Sequence, residues 1–142
     1  MLKNNFFSHW NTVGYKPHMR YTLAGGKGAV SENIAAYTQG APSDIKTALK
    51  NLESDMMNND ASSNWGHRNN ILNLFHNKVS IGISYGNSQV YFVQDFIDEY
   101  VQWSTFSVTP NQVTLIGSLT KQMTLSQVNI FYDSLPSNLT KD

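Results

Sequence analysis

"KVSIGISYGNSQVYFVQDF", residues 78–96, carries the strongest strand signal in the chain. Val79, Ile81, Ile83 and Tyr85 alternate with Ser80, Gly82 and Ser84, the two-residue period of a strand whose faces differ. That alternation predicts one buried face and one small, polar face that another element can approach closely. Gly86-Asn87-Ser88 supplies turn residues, and a second β-rich run returns from Val90 to Phe96. The segment therefore reads as an antiparallel hairpin, with strands at about 79–85 and 90–96.

Upstream, the period changes. In "PSDIKTALKNLESDMMNND", residues 42–60, Ile45, Ala48, Leu49, Leu52 and Met56 fall at i, i+3, i+4, i+7 and i+11. This is the apolar stripe of an amphipathic helix over about 44–57, with Ser43 as N-cap and Asp44 in the first turn. "NDASSN" breaks it, and a second, short helix starts near Gly66 in "NWGHRNNIL", residues 64–72. Further upstream, "FFSHWNTVGYKPHMRYTLAGGKGAVSENIAAYTQG", residues 6–40, is aromatic-rich and punctuated by Gly14, Pro17 and Gly25-Gly26. It predicts a short helix or loop near 5–10, a loop to about 28, and an extended segment at 29–36.

Downstream of the hairpin the helical signal ends. "YVQWSTFSV", "QVTLIGSL" and "LSQVNIFYD" are three strand-like runs separated by Pro110-Asn111 and Lys121-Gln122. The boundary falls near 97–99, dividing the chain into residues 1–97, of mixed α and β character, and residues 98–142, a β extension or the start of a β-sandwich. Three strands alone make a marginal sheet, so the extension is expected to dock on the first unit or to continue into a sandwich.

Composition narrows the function classes. Of 142 residues, 14% are charged and the formal net charge is +0, which argues against nucleic acid as a partner. No apolar run approaches transmembrane length. With no cysteine there is neither a disulfide framework nor thiolate chemistry. A surface polar through Asn, Ser, Thr and Gln, and the sequon Asn138-Leu139-Thr140, point toward export. "MLKNNFFSHW" does not read as a signal peptide, so the targeting segment is expected to be absent from this chain.

Four residues stand out chemically: His9 in "FFSHW", Glu32 in "SENIA", Glu53 on the amphipathic helix, and His67 at the mouth of the second helix. The positive helix terminus favours a neutral imidazole at His67, able to take up a proton or bind a metal. No local metal motif such as H-E-x-x-H joins them. Neither a G-x-S-x-G elbow nor a phosphate loop is present, "GGKG" reading as a mobile turn. His18 reads as a packing residue, His76 as exposed, and Arg68 as a surface or carboxylate-pairing residue.

Taken in order, "FFSHWN", "GYKPHMRY", "SENIAAY", "WGHRNNIL", "VSIGISYG" and "VYFVQDF" resemble the CAP superfamily (cysteine-rich secretory proteins, antigen 5, pathogenesis-related 1), in its cysteine-free microbial branch, over roughly residues 5–97. The resemblance implies an α-β-α sandwich around a central antiparallel sheet, an α+β fold. It also implies a cleft holding two histidines and two acids, which in some members binds a divalent metal. By motif, His9 and His67 match the family histidines and Glu32 the acid of the "EN" motif. The second acid would lie on the helix before His67; Glu53 is the first candidate, with Asp55 or Asp60 as alternatives. His9, His67 and Glu32 would then hold Zn2+ or another divalent ion.

Family members carry a helix before the "HW" segment, whereas eight residues precede His9 here. The chain is expected to be N-terminally incomplete or to fill that place with another element; otherwise an apolar sheet face lies exposed. The first functional expectation is an extracellular or cell-surface binding module for a small apolar or peptide-like ligand. The alternatives are a zinc-dependent, peptidase-like hydrolase with Glu32 as base, and a structural or adhesive surface module.

Overall fold

The computed structural model describes residues 1–120 and 123–130. The sequon at 138–140 and the end of the third C-terminal run lie outside those residues. The chain is an α+β protein with a central antiparallel sheet of three strands, β1 (Ala29–Tyr37), β2 (Lys78–Gly86) and β3 (Gln89–Asp98), ordered β1-β3-β2. A second sheet pairs β4 (Val101–Thr109) with β5 (Gln112–Leu119). In the third run, residues 125–130 form no strand.

The hairpin turn is a two-residue Asn87-Ser88 loop with both φ angles positive, 51° and 58°. That is the mirror-image turn whose twist matches the flanking strands. Its register pairs Val79 with Phe96, Ile81 with Gln94, Ile83 with Phe92 and Tyr85 with Val90. On its other side β3 pairs with β1, Ser31 opposite Phe96, Asn33 opposite Gln94 and Ala35 opposite Phe92. These residues share one face of the sheet.

On that face lies α2 (Ile45–Asn58). Ala48, Leu52 and Met56 are buried against Val90 and Phe92, with Ile45 and Leu49 partly buried at the margin. The cap is Asp44 rather than Ser43: its carboxylate accepts the Lys46 and Thr47 N–H groups at 3.3 and 3.0 Å. A 3-10 turn (Asp60–Ser63) leads into α3 (Gly66–Ile71), entered through Asn64 and Trp65 in the left-handed region.

The opposite face is covered by the N-terminal segment and α1 (Pro17–Leu23). This helix lies where a loop is expected; Pro17, pre-set for helical φ, stands in its first turn, where no N–H is needed. Phe7 packs on Tyr91 at 6.2 Å between ring centroids, and the Tyr91 hydroxyl donates to Asn5 Oδ1. Ser8 is fully buried and accepts the Trp10 N–H. "GGKG" ends in a close approach rather than a free turn: a Cβ on Gly28 would stand 2.7 Å from the Asp98 carbonyl oxygen.

One expectation from the alternation fails. Val79, Ile81, Ile83 and Tyr85 are 46–66% exposed, and Ser80 and Gly82 on the other face are exposed too. The reason is placement: β2 is an edge strand, and α2 sits over β1 and β3 without reaching across to it.

Candidate functional site

The cleft forms at the other edge of the sheet. Successive residues of a strand point to opposite faces, so Glu32 turns toward α1 and Asn33 toward α3. Since β1 is an edge strand, both side chains reach the same rim. The resulting cleft of about 600 Å³ is lined by His9, Glu32, Asn33 and His67, with Asn69, Asn70, Asn73, Ser31, Ser63 and Gly66 around them. Among the described residues no lining side chain comes from beyond residue 73.

Glu32 is 1% exposed at its side chain and holds two partners. One oxygen meets His9 Nδ1 at 2.8 Å, and the other accepts from Arg20 Nη2 at 2.5 Å. The second nitrogen of Arg20 donates to the His9 carbonyl at 2.7 Å and to the Tyr15 carbonyl at 3.2 Å. Arg20 thus ties α1, the N-terminal segment and β1 together. Across the ladder from Glu32 stands Asp95, whose Oδ1 is buried without a hydrogen-bond partner. Burial, then the charge of Glu32, push the Asp95 carboxyl up to about 6, against the opposing pull of Arg20 and His9.

His67 has its own carboxylate, and it is Asp60. His67 Nδ1 meets Asp60 Oδ1 at 2.6 Å, while Asp60 Oδ2 accepts the Arg68 N–H at 3.1 Å. Asp60 is 4% exposed. Burial alone would raise its carboxyl; the hydrogen bonds from His67, the Arg68 N–H and Ser63 outweigh it and hold the group below the ordinary 3.8. Glu53, the first candidate for this place, is elsewhere. Its carboxylate accepts Gln94 Nε2 at 2.7 Å and borders a separate groove with Leu49, Met57 and Ile81. The physical reason is phase: Asp60 follows the helix end on a turn that doubles back toward α3, whereas Glu53 stays on the α2 flank. Asp55 is likewise occupied outside the cleft, accepting Asn59 Nδ2 at 2.8 Å.

Three further residues of the site escape a reading from the chain. Arg20 carries no helix or strand signal of its own, and Asp95 acquires its role only through the register that sets it beside Glu32. His76, expected to be exposed, has a 7% exposed side chain between Asp98 and Asn70. Arg68 pairs with a carboxylate through its backbone N–H, while its guanidinium lies 5.2 Å over the Trp65 ring.

His9, His67 and Glu32, the expected ligand set, line one cleft, and a carboxylate on Nδ1 is the outer-shell partner that a metal-ligating imidazole ordinarily has. Glu32 is committed to His9 and Arg20, and each imidazole Nδ1 is engaged by a carboxylate. Among the described residues no group of three or more His, Asp or Glu side chains is arranged to hold a metal ion. The geometry of the cleft is two histidine–carboxylate pairs ringed by neutral amides and hydroxyls.

The class defined by fold and site is an α+β domain with a histidine–carboxylate cleft at a sheet edge. Comparison of the chain with protein-family models, with curated proteins and with solved structures gives no match.

Proposed function

We propose that this protein is a binding module of the CAP type whose cleft takes a small peptide-like ligand. The observation that carries this reading is the lining. Asn69 and Asn73, with Ser31 and Ser63, surround His9 and His67 with groups that both donate and accept hydrogen bonds, while Asn33 and Asn70 are bonded to each other behind them. Peptide amides match such a surface, whereas an apolar ligand would strip water from it without return. CAP membership is part of the proposal. Its support is that three of the resembling segments, those bearing His9, Glu32 and His67, meet in one cleft. The hydrolase alternative asks Glu32 to activate a metal-bound water; its burial and its commitment to His9 and Arg20 oppose that role. The low charge and Asn- and Ser-rich composition support an extracellular or cell-surface location.

The test is a ligand titration followed by NMR. A mixed short-peptide library should shift the resonances of His9, His67, Asn69, Asn70 and Asn73, and a fatty acid or sterol should leave them in place. Shifts caused by the apolar ligands alone, or by neither, would overturn the reading.

A further inference from the structure

Beneath the cleft, a single file of polar side chains runs from β3 through α3 and β1 back to β3 and onto α2. Asp98 Oδ1 meets His76 Nδ1 at 2.7 Å, and His76 Nε2 meets Asn70 Oδ1 at 2.9 Å. Asn70 Nδ2 donates to Asn33 Oδ1 at 3.0 Å. Asn33 Nδ2 donates to the His67 carbonyl at 3.0 Å and to Gln94 Oε1 at 3.3 Å. Gln94 Nε2 completes the file by donating to Glu53 Oε2 at 2.7 Å.

The direction of every bond in this file follows from its two fixed points. The His67 carbonyl can only accept, so Asn33 must present its NH2 group there and its oxygen to Asn70. Asn70 must answer with its own NH2, which leaves its oxygen facing His76 Nε2. The Glu53 carboxylate, also an acceptor, fixes Gln94 in the same sense. No amide in the file can be turned without setting two acceptors against each other. His76 therefore faces an amide oxygen at one ring nitrogen and a carboxylate at the other. A neutral imidazole has one donor and one acceptor and cannot serve both.

We infer that His76 is a positioning residue, an imidazolium whose two N–H groups anchor the file and, through Asn70 and Asn33, hold the His67 carbonyl at the cleft. Phe96 stacks on the ring at 5.2 Å between centroids and 25° between planes, a further favourable contact for a cation. Among the described residues Asp98, 31% exposed at its side chain, is the ionisable group hydrogen-bonded to the ring. The neighbouring charged groups, Lys78 at the start of β2 and Glu99 just past the end of β3, pair with each other, and Arg68 of α3 lies over Trp65. Losing the Nε2 proton would set a lone pair against Asn70 Oδ1. Since Asn70 and Asn33 cannot turn, the file would open and loosen α3 from β1.

Ring 15N shifts of the ligand-free protein test this separately from the ligand class. At neutral pH both His76 nitrogens should show the protonated signature. As the pH is raised, the side-chain amides of Asn70, Asn33 and Gln94 should shift with the ring's own transition. His76→Gln, which keeps one donor and no charge, should make those amides insensitive over the same range. It should also speed hydrogen exchange in α3 by about tenfold. A neutral ring with one bare nitrogen at neutral pH, including one whose proton has moved to Asp98, would overturn the inference. So would amides that stay silent while the ring titrates. Both measurements are made on the wild-type chain, so they decide the question even if the variant does not fold.

Discussion

β1 and β2 are the two edges of one sheet, both nine residues long and both rich in β-branched and small side chains, yet they end in opposite surroundings. On β1, Ile34 and Asn33 are buried, and Glu32 is 1% exposed at its side chain. α1 and the N-terminal segment close one side of it, α2 and α3 the other. On β2, Val79, Ile81, Ile83 and Tyr85 lie in the open. Alternation establishes which residues share a face, while cover depends on where the helices land. The covered edge is also the one that carries chemistry, because only there do helices bring charged partners to the strand.

The sharpest contrast is between the α2-covered part of the shared face and its open part. Leu52→Ala removes a side chain 5% exposed in the core cluster, and urea unfolding should show a loss of about 2–5 kcal/mol. A loss below about 1 kcal/mol would mean that α2 does not cover this face as described. At the covered edge, Asp60→Ala strips the His67 ring and the Arg68 N–H of their acceptor. A destabilisation of about 1–3 kcal/mol is expected, with broadening of the His67 resonances. Unchanged stability together with unchanged His67 shifts would break the pairing.

The pH dependence of stability separates the two acids of the covered edge. Asp60 is held below its ordinary 3.8, so its contribution is present above that pH and is lost as the pH falls through the lower folded value. Asp95 has the opposite sign. Raised from 3.8 to about 6 in the folded protein, it favours folding while protonated, and that advantage is lost as the pH climbs through this window. Asp95→Asn should abolish the decline between about 4 and about 6 seen in the wild type, measured as the denaturant midpoint against pH. A variant that still declines there would assign the effect to another group. The smallest effect belongs to the open edge. Ile83→Ala, at a side chain 46% exposed, should move stability by no more than about 0.5 kcal/mol. A core-sized loss at that position would show that β2 is covered in solution.

Much of this molecule is legible in the chain because its signals are local. Ile45, Ala48, Leu52 and Met56 recur at the helical period, and the Gly86-Asn87-Ser88 turn fixes the hairpin's position. Pro17 is compatible with both a loop and a first helical turn, and only the docking of Arg20 on Glu32 and the His9 carbonyl distinguishes them. His9, Glu32 and His67 are singled out by their motifs, and the structure sets all three around one cleft. The second cleft acid stays open among Glu53, Asp55 and Asp60 in the sequence, since their spacing along the chain does not say which carboxylate the turn at 60–63 brings to His67.

The hairpin and the amphipathic helix can be read from the chain, because periodicity and turn chemistry act over a few residues, and the resemblance to CAP motifs singles out the three segments that supply the cleft. Tertiary structure alone decided the rest. Asp95 stands beside Glu32 through strand register, His76 lies buried between Asp98 and Asn70, and Arg20 closes on a carboxylate twelve residues away. It also decided that the apolar stripe of β2 stays uncovered. Each of these depends on how far one element reaches across another, a distance in space that no spacing along the chain encodes.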